Sequence, residues 1–328
     1  MGKINQTARL HAELDKIKKE GNYKETKVKF VPKKGAGAGK EPNFGQTALT
    51  FPAAILFIDM RGSTEIMSKY KNKTLARINK IFLMVISEIV TMNRGEIRSF
   101  DGDSVLAFFC GVKSTVSNNA ILSALQIKYA LRFEPKIQKA FAGLMNKNTS
   151  NKTNAPYYYY TKKSEIDFGI GITYSQNIWC IKSGSRGADH IHDLVWLDYQ
   201  VNKAAHHSKD MDNTKFNVKI SDSIFTSLNQ NNKKAFIINS SQNLEEKGNI
   251  WVQGYDNNTA FSNAKPSKTS KFYTLSVDCF KPLDNGEFME IKSQEEVKAK
   301  AVKNKVINHT KQSTQVKKSL NTKKTKKV

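Results

Sequence analysis

Apolar positions along this chain fall into two rhythms: short continuous runs that read as buried strands, and three-and-four-step stripes that read as helices. Ile55-Leu56-Phe57-Ile58 is such a run and predicts a central strand, bounded at its carboxyl end by Asp59. Arg61-Gly62-Ser63-Thr64 then opens a helix, with Ser63 or Thr64 as its cap. Leu75, Ile78, Phe82, Val85 and Ile89 recur at helical spacing and predict a helix from Thr74 to Val90. Ile97–Phe100 and Val105–Phe109 flank Asp101-Gly102, a hairpin signal that sets Asp103 at the start of the second strand. Ala120, Ala124, Ile127 and Leu131 repeat the helical stripe between Asn118 and Arg132. Strand, helix, hairpin, helix and strand make an α+β, ferredoxin-like βαββαβ plan, an antiparallel-rich sheet with helices on one face.

Strands resume at Ile166–Thr173 and Ile178–Ile181, joined through Tyr174-Ser175-Gln176-Asn177. Later runs at Phe216–Ile220, Ala235–Ile238, Ile250–Val252 and Phe272–Leu275 read as peripheral strands. Upstream, Ile4, Leu10, Leu14 and Ile17 predict a short amphipathic helix that packs on the domain or on a second copy. The glycine-rich GAGAGK that follows lacks phosphate-loop spacing, has Glu41 where Ser or Thr belongs, and reads as a flexible linker. The expected organisation is a helix and linker over 1–50, a catalytic domain over 51–280 with a polar insertion at 146–163, and a basic tail over 281–328.

The formal charge of +24 allows a polyanion partner, and a non-enzymatic nucleic-acid-binding protein is one class it suggests. Much of that charge sits in the tail, read as solvated chain capable of a weak polyanion contact. Outside Tyr157–Tyr160 no aromatic residues interleave the basic ones, which counts against a nucleic-acid platform. Three scattered cysteines suit a reducing compartment. No apolar run reaches membrane-span length and the first residues lack a signal-peptide core, so a cytoplasmic protein without membrane attachment is expected.

The chemistry centres on Asp59 and Asp103. A carboxylate at the end of a buried strand is costly unless a cation meets it. If the two strands are neighbours, both side chains converge on one ion or ion pair. The backbone amides opening the next helix suit a metal-bound polyphosphate.

FIDMRGST, GEIRSFDGDSVLAFF, FGIGITYSQNIWCIKSG and VWLDYQVNKAAHHSK occur in that order, and together they resemble the class III nucleotidyl cyclase catalytic domain over residues 51 to about 240. The wording is most similar to the bacterial pyrimidine cyclases of the Pycsar antiphage systems. The resemblance implies that Asp59 and Asp103 hold two divalent ions, Mn2+ or Mg2+, with the Met60 carbonyl completing one shell. It implies that Gly62, Ser63 and Thr64 offer amides to the phosphates, Arg61 joining them, and that Asn202 orients the ribose and the pentavalent phosphorus. In the family the metal half and the Asn helix come from different protomers, so a head-to-tail homodimer with composite sites is implied. The cyclic product would act on a separate receptor.

Four positions depart from the family pattern. His206 stands where a transition-state Arg is usual, with Lys203 and Lys209 as nearby cations, and Asp198 replaces a common Gly. Ser99 and Val195 occupy the two purine-reading positions and carry no purine code, which favours UTP or CTP. UTP is preferred on the resemblance alone. Tyr70, Arg98, Ser99 and Trp196 are candidates to line a smaller base pocket. The alternative within the class is an adenylate or guanylate cyclase with an atypical pocket.

Overall fold

A computed structural model of the chain describes residues 8, 10–12, 14, 15, 18, 24–36, 39–43, 47–145, 166–184, 192–209, 217–237, 248–256, 270–275, 280–282 and 288–290. The insertion at 146–163 and the tail beyond Glu290 lie outside the described residues.

Two long antiparallel strands form the spine. β2 (Thr47–Arg61) and β5 (Asp167–Gly184) pair from Leu49↔Cys180 to Arg61↔Asp167. β1 (Lys24–Lys27) runs parallel to the first half of β2, and β4 (Ser104–Cys110) takes the second half. β3 (Glu96–Asp101) closes that edge. On the other side β7 (Val218–Ser221), β11 (Ser270–Leu275) and β10 (Trp251–Asp256) continue the sheet, while β6 (His192–Leu197) pairs with the last third of β5. The order β5-β2-β4-β3 is the ferredoxin-like core that the hydrophobic rhythm predicts. Short strands β8 (Lys234–Ile237), β9 (Gly248–Asn249), β12 (Phe280–Pro282) and β13 (Phe288–Glu290) form a small second sheet.

Helices α1 (Ser63–Lys69), α2 (Asn72–Met92), α3 (Lys113–Phe133) and α4 (Pro135–Met145) lie between β2 and β5 in sequence. Even-numbered β2 positions, Ala54, Leu56, Ile58 and Met60, pack with Ile78, Phe82, Ala124 and Phe141 from α2, α3 and α4. Odd positions Ala53 and Ile55 face the opposite layer with Val201 and Ala204 of α5 (Tyr199–Lys209). Each face of the spine therefore buries its own core, which is why its strands read as continuous apolar runs rather than as alternation. Among the described residues no helix is long and apolar enough to cross a membrane.

Several local readings change. The segment Asp167–Gly184 is one strand, not two joined by a turn. Opposite Pro52, β5 carries an extra residue, so the register steps from Phe51↔Ile178 to Ala53↔Ser175. Proline has no N–H to give a central ladder, and a bulge absorbs the defect. β1 and β6 pair where no strand is expected from the apolar pattern. α4 opens on Pro135 at its first position, a start signal that pattern reading passed over. At the amino end Ala8, Leu10 and Leu14 are helical as expected, with Leu10 and Leu14 68% and 45% exposed, so these two do not pack on their own domain.

The segment read as a linker is strapped down. Val31 is 3% exposed within the Phe51–Phe108 cluster. Arg98 donates to the carbonyls of Pro32 and Val31 at 2.8 and 3.0 Å and pairs with Glu96. Glu41 forms an ion pair with Lys182, with His192 3.6 Å away. The Lys182 hydrogen bond holds the Glu41 carboxyl below its usual range. This contribution is present above the ordinary carboxylate range and is lost as pH falls through the lowered value. Glu41→Gln leaves a largely buried ammonium without its counter-charge and is expected to lower stability by about 2 kcal/mol. Thermal melts with limited proteolysis of residues 31–43 check it, and an unchanged melt and cleavage pattern would count against the strap.

Candidate active site

The strand β2 runs past Asp59 to Arg61 and then turns on Gly62. Gly62 has φ +65° and is the residue before the first turn of α1, a conformation that favours glycine. Ser63 and Thr64 are therefore not the cap but the first two helical residues, and no side chain caps this end. Their amides belong to the unsatisfied first turn.

Asp59 is opposite Ser104 on β4 and Gly169 on β5. The hairpin between β3 and β4 turns on Gly102, at φ +61°, and on Asp103 itself, since Asp101 pairs with Ser104. Asp103 thus sits in the turn rather than at the start of the strand, and Ser104 Oγ pins that turn by donating to Asp101 O at 3.0 Å. The two carboxylates feel each other: burial and then the charge of Asp103 push the Asp59 carboxyl up, while Lys209 and Arg61 pull it down and Asp101 adds a smaller push upward. Asp103 Oδ2 is buried without a hydrogen-bond partner. A buried, unpartnered carboxylate oxygen beside a second half-buried carboxylate is a donor set for a hard divalent cation. Among the described residues no cluster of three or more His, Cys, Asp or Glu suits a metal, so the donor set seen there is these two carboxylates.

Met60 turns its side chain, 3% exposed, into the α2–α3 core. Arg61 turns the other way. Its side chain is 17% exposed and its guanidinium pairs with Asp167 at 3.6 Å, and Asp167 is held in turn by Arg132 at 2.9 Å and Asn217 at 3.1 Å. Asp167 and Arg132 escaped the sequence reading; the available signal was a carboxylate opening an apolar strand, across the ladder from Arg61.

The base-pocket candidates divide between faces. Trp196 packs edge-on to Phe51 at 6.0 Å and against Phe108 at 4.9 Å, on the α5 side of the sheet, and Arg98 is committed to the strap on that side. Tyr70 packs with the α2–α3 core on the other side. Val195 alternates with the inward Leu194 and Trp196 on β6, and Ser99 lies on β3 just after a bulge, opposite Leu106.

Helix α5 starts after Asp198, whose carboxylate accepts from Gln200 N at 2.5 Å, so the Asp in place of the family's Gly serves as its cap. Val201, Ala204, His207 and Ser208 are buried, whereas Asn202 and His206, one turn apart, are exposed. Lys203 donates to Ser270 Oγ at 2.8 Å. Lys209 ends the helix close enough to act on Asp59. Asn202 is seven residues back from Lys209, about 10 Å along the axis, on the open side.

No protein-family model matches the chain. Two curated proteins named uridylate cyclase are similar to it. One, from Xanthomonas perforans, is 29% identical over 185 residues, 56% of this chain and 69% of that protein. The other, from Burkholderia cepacia, is 32% identical over 157 residues, 47% of this chain and 57% of that protein. Among solved structures, guanylyl cyclase Cya2 superimposes with a TM-score of 0.49 at 15% identity, covering 72% of this chain and 96% of that one. The adenylyl cyclase CyaB from P. aeruginosa gives 0.46 at 16% identity, covering 70% and 95%. Over about half of its length the chain is thus similar in sequence to proteins named uridylate cyclase.

Proposed function

We propose that the protein closes UTP to its 3′,5′-cyclic monophosphate with release of pyrophosphate, as a second-messenger synthase whose product acts on a separate receptor in antiphage defence. The observation that carries the reading is the meeting of Asp59 with Asp103, one of whose oxygens is buried and unpartnered, in a chain similar to curated uridylate cyclases. Asp59 and Asp103, with the Met60 carbonyl, would hold two divalent ions. When bound, the ions lower the pKa of the ribose 3′-hydroxyl and neutralise the triphosphate. The first-turn amides of Ser63 and Thr64 face the phosphates, beside Gly62, and Arg61 adds a fixed positive charge next to Asp59. Positioning then does most of what the protein contributes, because in-line phosphoryl transfer asks for little covalent chemistry from it. Asn202 orients the ribose, and His206 supplies a donor where the family has Arg. Both stand on the open face of α5 and act in the site of a second copy, as a head-to-tail dimer requires.

Purified protein incubated with each of the four nucleoside triphosphates and Mn2+ tests the assignment. Cyclic UMP is the expected product; turnover of ATP or GTP alone would replace the pyrimidine assignment with a purine one.

A second expectation concerns the ions. Without them, Asp59 has a raised pKa, so the folded protein binds more protons than the unfolded chain. The Asp59 contribution to metal-free stability is therefore most favourable below the ordinary carboxylate range and falls as pH rises through the raised value. Mn2+ relieves the repulsion among Asp59, Asp103 and Asp101 that remains above that window. Its stabilising shift in Tm should be largest near neutral pH and fade towards the carboxylate range as protons compete. A pH-independent shift in Tm would argue against carboxylate ligands.

A further inference from the structure

The face of β5 turned to α5 reads Gly169, Gly171, Thr173, Ser175, four small residues in alternation. Each meets a different part of the helix. Ser175 Oγ donates to Asp198 Oδ2 at 2.7 Å, at the cap. Thr173 Oγ1 donates to Gln200 O at 2.7 Å, in the first turn. A side chain at Gly171 would overlap Ala204 O outright and stand 2.8 Å from His207 Cβ and Ser208 N. One at Gly169 would overlap Ser208 O and come within 3.0 Å of Arg61 Nη2. The helix backbone thus rests directly on the strand for its whole length, and neither glycine has a positive φ to account for its identity. Close approach is what these positions require.

We infer that this row is the seat that sets the height and axial position of α5, with Gly171 as its main positioning residue, and so determines where Asn202 and His206 reach. The inference rests on the composite-site reading above. Gly171 is opposite Phe57, two residues before Asp59, so the seat is built on the spine that carries the metal carboxylate. A methyl group at Gly171 must lift α5 by an ångström or more, and misplacement on that scale lowers a rate by about a hundredfold. Asp59 and Asp103, whose strands lie below, stay where they are.

Full-length chains mixed in pairs separate this role from general damage. Gly171→Ala alone should lose about a hundredfold in kcat while keeping the Mn2+-dependent rise in Tm, which reports the metal half. Mixed with Asp59→Ala, it should recover activity, because the heterodimer pairs its sound metal half with a sound α5. Mixed with Asn202→Ala, it should recover none, since both chains lack a working helix. Wild-type kcat for Gly171→Ala, or no recovery with Asp59→Ala when Asn202→Ala and Asp59→Ala do complement, overturns the inference. If that control pair fails, the composite site falls instead, and Gly171→Ala is judged by its own kinetics: a lower kcat with unchanged KM and an intact Mn2+ shift sustains the seat, and an unchanged kcat rejects it. Should Gly171→Ala not fold, Thr173→Val, which removes only the hydroxyl holding Gln200, goes through the same mixtures with the same outcomes deciding.

Discussion

Replacing Asp103 with Ala is expected to abolish cyclisation, lowering kcat by about a thousandfold or more, in a protein that stays folded. The residue stands in a two-residue turn, makes no buried hydrogen bond through Oδ2, and repels Asp59. Its removal from the metal-free protein therefore relieves a like-charge contact and should leave Tm unchanged or slightly raised. The same substitution should remove most of the Mn2+-dependent rise in Tm, since one of two carboxylates is gone. Loss of function without loss of stability is the signature of a ligand kept for binding rather than for packing. Initial rates with UTP and Mn2+, beside melts with and without the ion, measure both effects. Activity within tenfold of wild type would remove Asp103 from the site.

Mixing an Asp59→Ala chain with an Asn202→Ala chain, each inactive alone, should restore activity to about a quarter of the wild-type level. Random pairing makes half of the dimers mixed, and each mixed dimer carries one intact site of two. The expectation follows from where α5 places its residues. Asn202 and His206 are exposed on α5, available to a second copy. On the composite-site reading Asn202, exposed on its own chain, serves the site of a neighbour. Absence of recovery, with dimers shown to exchange, would put the whole site in one chain and leave Asn202 without a role.

The strand and the hairpin that carry Asp59 and Asp103 were legible in the sequence because they are local. A four-residue apolar run ending in Asp and a glycine-containing hairpin between apolar runs each depend on neighbours in sequence, and both formed. Finer placement was not local. Whether Ser63 or Gly62 caps α1 depends on how β2 exits the sheet, and a positive φ at Gly62 decided it. The glycine-rich strap looked like a linker because its anchors, Arg98 and Lys182, come from 66 and 141 residues away. The same holds for Arg61, which a helix-start position cannot distinguish from an exposed side chain until Asp167 is brought alongside.

By itself, the order of apolar runs and stripes determined the βαββαβ plan and the strand and hairpin that carry Asp59 and Asp103, because periodicity is written residue by residue, while the helix bearing Asn202 was implied by the resemblance of VWLDYQVNKAAHHSK. Only the folded chain decided which face each group serves: that Tyr70 and Trp196 lie on opposite sides of the sheet, that Asn202 looks outward, and that α5 rests on two glycines. Those outcomes depend on strand register and on the bulge opposite Pro52, where a shift of a single residue exchanges the faces of everything beyond it.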